Sequence, residues 1–364
     1  MNFDFSEEQR GLQEEMARFL AEQSPVSRSR KALEAGVSDS ALWRQLAELG
    51  WLGIAIPEEF GGSGLGPLEL VLMAEEMGRV LAPVPFVSAI CGAADLIARE
   101  GSQEQKSRWL PAIIAGEAIG TLACGERAGA FDPAQLSSSL ADGRVSGTKI
   151  TVPDGMAATF VIAACTTASG PRLVIIPLNQ SGVKREATRS IDPSRPVCTI
   201  HFDQAEGELL GGENALEQAL LRLAVFQSFE QVAGADAVFA MTREFMGIRH
   251  AFGKPIASYQ ALKHRAADIY TAIELARANA YYAAWALSAG SDELVEAACC
   301  ARLSASQAFE LATVDAVQLH GGIGFTWESD CHLFYRRAKW LSGALGSQQE
   351  WRRRLVAQLD AQVI

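Results

Sequence analysis

Hydrophobic positions fall into three textures along the chain. From Phe5 to about Gly120 they recur at three- and four-residue steps, the spacing that turns one face of a helix toward a core. Ser6-Glu-Glu-Gln9 reads as a capping box ahead of Leu12, Met16, Phe19 and Leu20, which share one helical face. A second helix over 41–49 stops at Gly50. Ile56-Pro57-Glu-Glu-Phe-Gly61-Gly62-Ser-Gly64 is a turn-rich loop, because its glycines permit positive φ and its proline interrupts a helix. Another helix covers 67–80 with Pro67 at the tolerated first turn, and two more precede Gly120.

From Thr121 to about Leu210 the period shortens. Runs rich in β-branched residues at 145–152, 159–162, 173–176 and 197–202 alternate with turn signals, among them Asp142-Gly143. No long helical pattern separates them, which predicts a small antiparallel barrel or sandwich. From Asn214 onward the helical period returns. Leu262, Ala266, Ile269, Ile273 and Ala276 form one stripe, and the alanine-rich stretch to Ala308 suits close helix packing. The predicted fold is α+β and multidomain, with an N-terminal helical domain over 1–120, an antiparallel β-barrel over 121–210 and a C-terminal four-helix bundle within 211–364.

Composition narrows the function classes. The chain has 364 residues, is 49% hydrophobic and 21% charged, and carries a formal net charge of −11. That is globular rather than disordered, and the acidic balance lacks the electrostatic footprint of a nucleic-acid binder. No apolar run reaches the roughly 18 residues of a membrane span. The acidic start, Met1-Asn-Phe-Asp-Phe, differs from a basic-then-apolar signal peptide. Seven scattered cysteines, with no CxxC or HExxH spacing, read as reduced thiols in a cytoplasmic protein without a zinc site.

Four segments in order carry a resemblance to a known family. They are Leu49-Gly-Trp-Leu-Gly-Ile-Ala-Ile-Pro-Glu-Glu-Phe-Gly-Gly-Ser-Gly64; Lys106-Ser-Arg-Trp-Leu-Pro111 with Gly116-Glu117; Arg249-His-Ala-Phe252-Gly253-Lys254 with Gln260; and Gln318-Leu-His-Gly321-Gly322-Ile-Gly324-Phe325. Together they resemble the acyl-CoA dehydrogenase family over nearly the whole chain. The resemblance implies FAD, a CoA thioester substrate, an electron-transferring flavoprotein as electron acceptor, and a dimer or dimer of dimers. It implies α,β-desaturation, in which a carboxylate takes the proton beside the thioester carbonyl while a hydride leaves for the flavin. In this family each FAD lies across a subunit interface, one chain holding the flavin ring and the other the adenosine diphosphate end.

On the adenosine side the resemblance implies contacts from Arg249, Phe252, Gln260, Gln318, Gly321, Gly322, Ser347 and Gln349. Arg249 has the planar fork that suits a pyrophosphate, and Gly321-Gly322 lets the backbone approach phosphates closely. Taken singly, each has a plainer reading: Gly-Gly as a helix C-cap, Arg249 as a solvated surface residue. Because Gly321-Gly-Ile-Gly324 follows a helix, it is not a strand-to-helix dinucleotide fingerprint.

The flavin side departs from the family. The loop that usually reads like Thr-Glu-Pro-Gly-Ala-Gly-Ser-Asp is here Gly125-Glu-Arg-Ala-Gly-Ala-Phe-Asp132, without either hydroxyl. Thr151 and Pro153 replace the usual aromatic and threonine, and proline has no N–H to donate. Leu345 stands at the position of the usual catalytic glutamate, and Leu223 at the earlier position used by a second subgroup. Leucine accepts no proton. A local gap would instead bring Glu217, Glu230 or Glu350 into register. The five histidines, His320 included, read as packing or surface residues, and Cys124 as a small buried one.

The resulting expectation is the base-lacking subunit of a heteromeric acyl-CoA dehydrogenase, giving adenosine-side contacts to an FAD whose ring and glutamate belong to a paralogous chain. Such chains resemble those acting on bulky thioesters, such as sterol or bile-acid side chains. The alternatives are a self-sufficient dehydrogenase with a relocated base and a CoA-ester-binding scaffold without redox chemistry.

Overall fold

Ser6 Oγ accepts from the Gln9 N–H at 3.2 Å while the Gln9 side chain accepts from the Ser6 N–H at 2.9 Å, so the capping box forms as its spacing predicts. It opens α1 (Glu7–Gln23), the first element of a computed structural model that describes residues 5–127, 131 and 133–363. Next come α2 (Val26–Ala35), α3 (Ser40–Glu48), α4 (Pro67–Arg79), a π-helical stretch over Val87–Ala94, α5 (Asp95–Glu100) and α6 (Gln103–Ile114). Asp39 caps α3, and Gly50 after it adopts φ +75°, a conformation open to glycine at little cost.

The strands are β1 (Gly120–Ala123), β2 (Ser139–Ala141), β3 (Arg144–Pro153), β4 (Phe160–Thr167), β5 (Gly170–Pro177), β6 (Val183–Thr188), β7 (Val197–Glu206) and β8 (Glu208–Leu210). They form one sheet in the order β6-β7-β3-β2-β4-β5-β8, with β1 also paired to β4. The expected antiparallel barrel is corrected here to an open mixed sheet. β1 and β2 both run parallel to β4, and the terminal strands β6 and β8 do not pair with each other. The sheet is weakest at β2, whose three residues meet β4 through a single pair, Ser139 with Thr166, and it stays open between β6 and β8. Asp142 and Gly143 take φ +49° and +73° in the β2–β3 turn, as a two-residue hairpin of that sequence requires.

Alternation along β4 splits two cores. Val161, Ala163 and Cys165 face a small core of the sheet's own, while Phe160, Ile162 and Ala164 join the main core shared with the helices. That main core continues through α7 (Ala215–Ile248), α8 (Gln260–Ala289) and α9 (Leu294–His320), with α10 (Cys331–Ala344) packed on α7 and α9, and α11 (Gln348–Val363) on α9. A two-stranded ribbon, β9 (His250–Ala251) and β10 (Lys254–Pro255), separates α7 from α8. At the crossing of α4 and α7, a Cβ on Gly78 would lie 2.2 Å from the Glu230 carbonyl oxygen, so only glycine allows that backbone contact. Among the described residues no helix is long and apolar enough to cross a membrane.

Candidate functional site

Two concavities gather the residues singled out by sequence. The first is a cavity of about 140 Å³ where the sheet, α7 and the α10–α11 turn meet. Leu223 from α7 and Leu345 from the end of α10 both line it, together with Thr151, Pro153, Cys124 and Gly125. Thr151 sits at a register shift between β3 and β7 and has φ +54°, a strained conformation for a β-branched residue that the bulge imposes. Among the described residues no carboxylate lines this cavity. Ala128, Gly129, Ala130 and Asp132 of the altered loop lie outside the described residues.

The three glutamates considered as relocated bases are engaged elsewhere. Glu350 is buried, its Oε1 accepting from the Phe131 N–H at 2.7 Å and its Oε2 from the Ser347 N–H at 2.6 Å. It thereby completes a capping box for α11, with Ser347 Oγ accepting from the Glu350 N–H. Glu230 lies behind the cavity in a buried ion cluster, where its Oε1 accepts from Arg337 at 3.2 Å and Arg195 at 3.4 Å. Arg337 also donates to Asp192 at 2.6 Å and to the Leu81 carbonyl, so this cluster ties both helical regions to the sheet. Glu217 pairs with Arg354 of α11.

Electrostatics confirm how little of the wall is reactive. Burial pushes the Cys124 thiol up to about 12, leaving it protonated at neutral pH. Beside it, partial burial works against ionisation of Glu126, yet hydrogen bonds from Lys149 Nζ at 2.6 Å and from Ser137 and Ser138 hold the carboxyl at about 2. The Lys149 side chain is fully buried, and Glu126 is the carboxylate it pairs with. Arg195 and Trp340, stacked with the guanidinium carbon 4.5 Å from the ring centroid, complete the wall. Sequence reading missed both, because separate segments bring them together and neither sits in a recognisable motif.

The second concavity is an open cleft lined by Phe245, Arg249, Ile256, Leu319, His320, Gly321, Gly322, Ile323 and Thr326. Arg249 ends α7 in extended backbone, and its exposed guanidinium has no hydrogen bond or ion pair among the described residues. Gly321 takes φ +63° and ψ −140°, a combination essentially restricted to glycine, and a Cβ on Gly321 or Gly322 would meet nothing within 4 Å. Among the described residues no carboxylate lines the cleft. A free guanidinium, open glycine backbone and the absence of acid fit an anionic group such as a pyrophosphate.

The other expected contacts spread out from this cleft. Phe252 projects from the β9–β10 turn at 97% exposure, and Gln260 and Gln318 are exposed on α8 and α9. Ser347 and Gln349 open α11 beside the first cavity, and the Ser347 hydroxyl is committed to Glu350. His320, read from sequence as a packing residue, both packs on Phe245 and lines the cleft. Its place directly before Gly321-Gly322 was the signal available. Phe252 and Phe325 (89% exposed), with Ile248, Ile323 and Trp327, leave the cleft's surroundings unusually apolar for open surface.

Comparison with known proteins agrees with this layout. Residues 6–117 match the model of the acyl-CoA dehydrogenase N-terminal domain, and residues 211–359 that of the C-terminal domain. The chain is 31% identical over 356 residues to acyl-CoA dehydrogenase IpdE2 of Mycobacterium tuberculosis, covering 97% of this chain and 98% of that protein. Among solved structures, a variant of the steroid acyl-CoA dehydrogenase Tcur3481-Tcur3483 superposes with a TM-score of 0.92 at 29% identity, covering 98% of this chain and 99% of the other. The ChsE4-ChsE5 complex of Mycobacterium tuberculosis also gives 0.92, at 25% identity and 99% coverage of each chain.

Proposed function

The chain belongs to the acyl-CoA dehydrogenase family, and from that premise we propose that it is the subunit of a heteromeric, FAD-dependent enzyme that supplies no catalytic base. The observation carrying this reading is the contrast between its two concavities. Leu223 and Leu345, at the positions where the resemblance implies a base, line a cavity that no described carboxylate lines, while the cleft suited to an anion is open. Support also comes from relatives described as two-protein assemblies, one of them acting on steroids. A paralogous chain that retains the glutamate is the partner, and a bulky acyl-CoA, such as a sterol-derived side-chain thioester, is the substrate.

When bound, FAD supplies the hydride acceptor for α,β-desaturation. This chain's residues act on its nucleotide tail. Arg249 donates paired hydrogen bonds to the pyrophosphate, Gly321 and Gly322 let the backbone close on it, and Gln260 and Gln318 are placed for ribose or adenine. Phe252 and Phe325 are covered by the partner. An electron-transferring flavoprotein would be the electron acceptor. Seven free cysteines suit a reducing, cytoplasmic setting.

Co-expression with and without the paralogous chain, followed by flavin counting, tests this. The heteromer is expected to hold half as much flavin per chain as a fully loaded homomer, and Arg249→Ala in this chain should strip the partner's flavin. An active, fully loaded homomer of this chain alone would overturn the reading. Absence of flavin from every complex would favour the scaffold instead.

A further inference from the structure

Helix α2 and the chain that follows the glycines after α9 meet at Arg30. Its Nη1 donates to the Trp327 carbonyl oxygen, and its Nη2 donates to Asp330 Oδ1 at 2.6 Å and to the Glu328 carbonyl at 3.2 Å. Trp327 answers from its ring, Nε1 donating to Glu34 of the same helix at 3.2 Å. These bonds clasp α2 to residues 327–330. The stretch just before, with Gly321, Gly322, Ile323 and Thr326, lines the open cleft, so the clasp anchors one of its walls.

His332, in the first turn of α10, sits inside the clasp. Its ring stacks on Trp327, centroids 4.6 Å apart and planes at 20°. Nε2 lies 3.1 Å from the Trp327 carbonyl oxygen and 3.2 Å from Arg30 Nη1. Nδ1 is buried without a hydrogen-bond partner among the described residues. A neutral ring suits this site, because its one hydrogen on Nε2 goes to the carbonyl and Nδ1 keeps a bare lone pair. A charged ring carries hydrogen on both nitrogens. Nδ1–H would then be buried unpaired, and a second cation would face Arg30 at 3.2 Å.

The charges around the ring come from three elements. α2 brings Arg30 and Glu34, the latter held by Trp327. Residues 327–330 bring exposed Glu328 and Asp330, which is spent on Arg30. α10 brings Arg336, whose guanidinium carbon lies 5.8 Å from the Trp327 ring centroid and which donates to the Ile191 carbonyl between β6 and β7. It also brings Tyr335, under the Lys339 ammonium, and the Cys331 thiol, pushed up by burial. Burial first, then Arg30 and Arg336, lower His332 below the ordinary 6.5, against the Trp327 carbonyl and Asp330.

We propose that the clasp is a proton-operated latch: the neutral His332 ring keeps α2 fastened to residues 327–330, and protonating the ring unfastens them. The closed state binds fewer protons than the open one, so it is favoured above 6.5 and loses ground as pH falls from there. Acid thereby loosens the cleft wall through residues outside the cleft lining, whatever the cleft binds.

Hydrogen exchange on the full-length chain at pH 7.5 and 5.5, corrected for the intrinsic pH dependence of exchange, tests this. The reporters are the Thr326, Cys331 and Leu333 amides, bonded to the Ile323 carbonyl, Ser329 Oγ and the Asp330 carbonyl. With 6.5 in the open state, the open fraction can rise by at most about tenfold over that interval. Wild type should exchange these amides severalfold faster at pH 5.5, with the core of α9 unaffected. His332→Gln, whose amide can still donate to the Trp327 carbonyl, should stay slow at both pH values. Arg30→Gln should be fast at both. A pH-independent wild type, a step surviving in His332→Gln, or slow exchange in Arg30→Gln overturns the proposal. Should His332→Gln not fold, the wild-type ring decides by its proton resonances: a titration midpoint below 6.5 that coincides with the exchange step supports the latch, and one at or above 6.5 overturns it.

Discussion

Leu223 on α7 and Leu345 at the end of α10, 122 positions apart in the chain, line a single cavity. On the proposed reading these are the two positions from which different subgroups of the family place a base, and the fold brings both to one cavity. On that reading leucine at both positions leaves no proton acceptor there, since leucine accepts no proton. The nearby carboxylate, Glu350, is spent on the Phe131 and Ser347 backbone N–H groups.

Restoring one carboxylate should not restore turnover. Leu345→Glu or Leu223→Glu puts an acid into the cavity, but Pro153 and the hydroxyl-free loop from Gly125 still leave the flavin side short of donors. Either variant alone is expected to show no acyl-CoA-dependent dye reduction and to lose about 1–3 kcal/mol of stability from burying a polar group. Turnover above background by the single chain would show that its own flavin side is competent.

Glu230 separates a structural carboxylate from a catalytic one. Its Oε1 is shared by Arg195 and Arg337, and all three side chains are buried. Glu230→Gln leaves two guanidiniums with less compensation, so denaturant unfolding should show a loss of about 3 kcal/mol. In the assembled enzyme kcat and its pH profile should stay unchanged. Intact stability with abolished turnover would instead identify Glu230 as the base.

Legibility from sequence followed burial. The helices of 5–120 and 214–363, and strands β3, β4, β5 and β7, bury a face and so print a period. β6 did not: its residues Val183–Thr188 are mostly exposed, and an edge strand with solvent on both faces needs no alternation. β1, buried throughout, and β2, three residues long, are too short to show a period, and their parallel pairing with β4 is what separates an open mixed sheet from the predicted barrel. At the site, Leu223, Leu345, Arg249 and Gly321 were legible because motifs number them. Glu126–Lys149 and Arg195–Trp340 were not, since those contacts exist only after the sheet folds.

Acid should act on the chain through Glu126. Its carboxyl sits at about 2 in the fold against 4.5 for an ordinary glutamate. A depressed folded value means stabilisation that is complete above 4.5 and is lost as pH falls from there toward 2. Glu126→Gln should flatten that acid limb of the stability curve. At neutral pH it should also cost about 3 kcal/mol by stranding buried Lys149, a loss that adding Lys149→Met largely recovers. An unchanged acid limb in Glu126→Gln would assign the titration elsewhere.

The apolar rim of the cleft predicts assembly without fold. Phe252 is 97% exposed and has φ +52°, a conformation asparagine tolerates better than phenylalanine. Phe252→Asn removes apolar surface while easing the backbone, and Phe325→Ser trims a side chain that is 89% exposed. Unfolding of the lone chain should therefore change by no more than about 0.5 kcal/mol for either. Both residues flank the cleft where the partner is proposed to close over the nucleotide tail. A buried aromatic anchor is worth at least about 1.4 kcal/mol, so the pair should weaken association tenfold or more and release flavin on dilution. Sedimentation of the co-expressed chains reads the first and flavin absorbance of the pelleted complex the second. Unaltered assembly in the double variant would place the partner on another face.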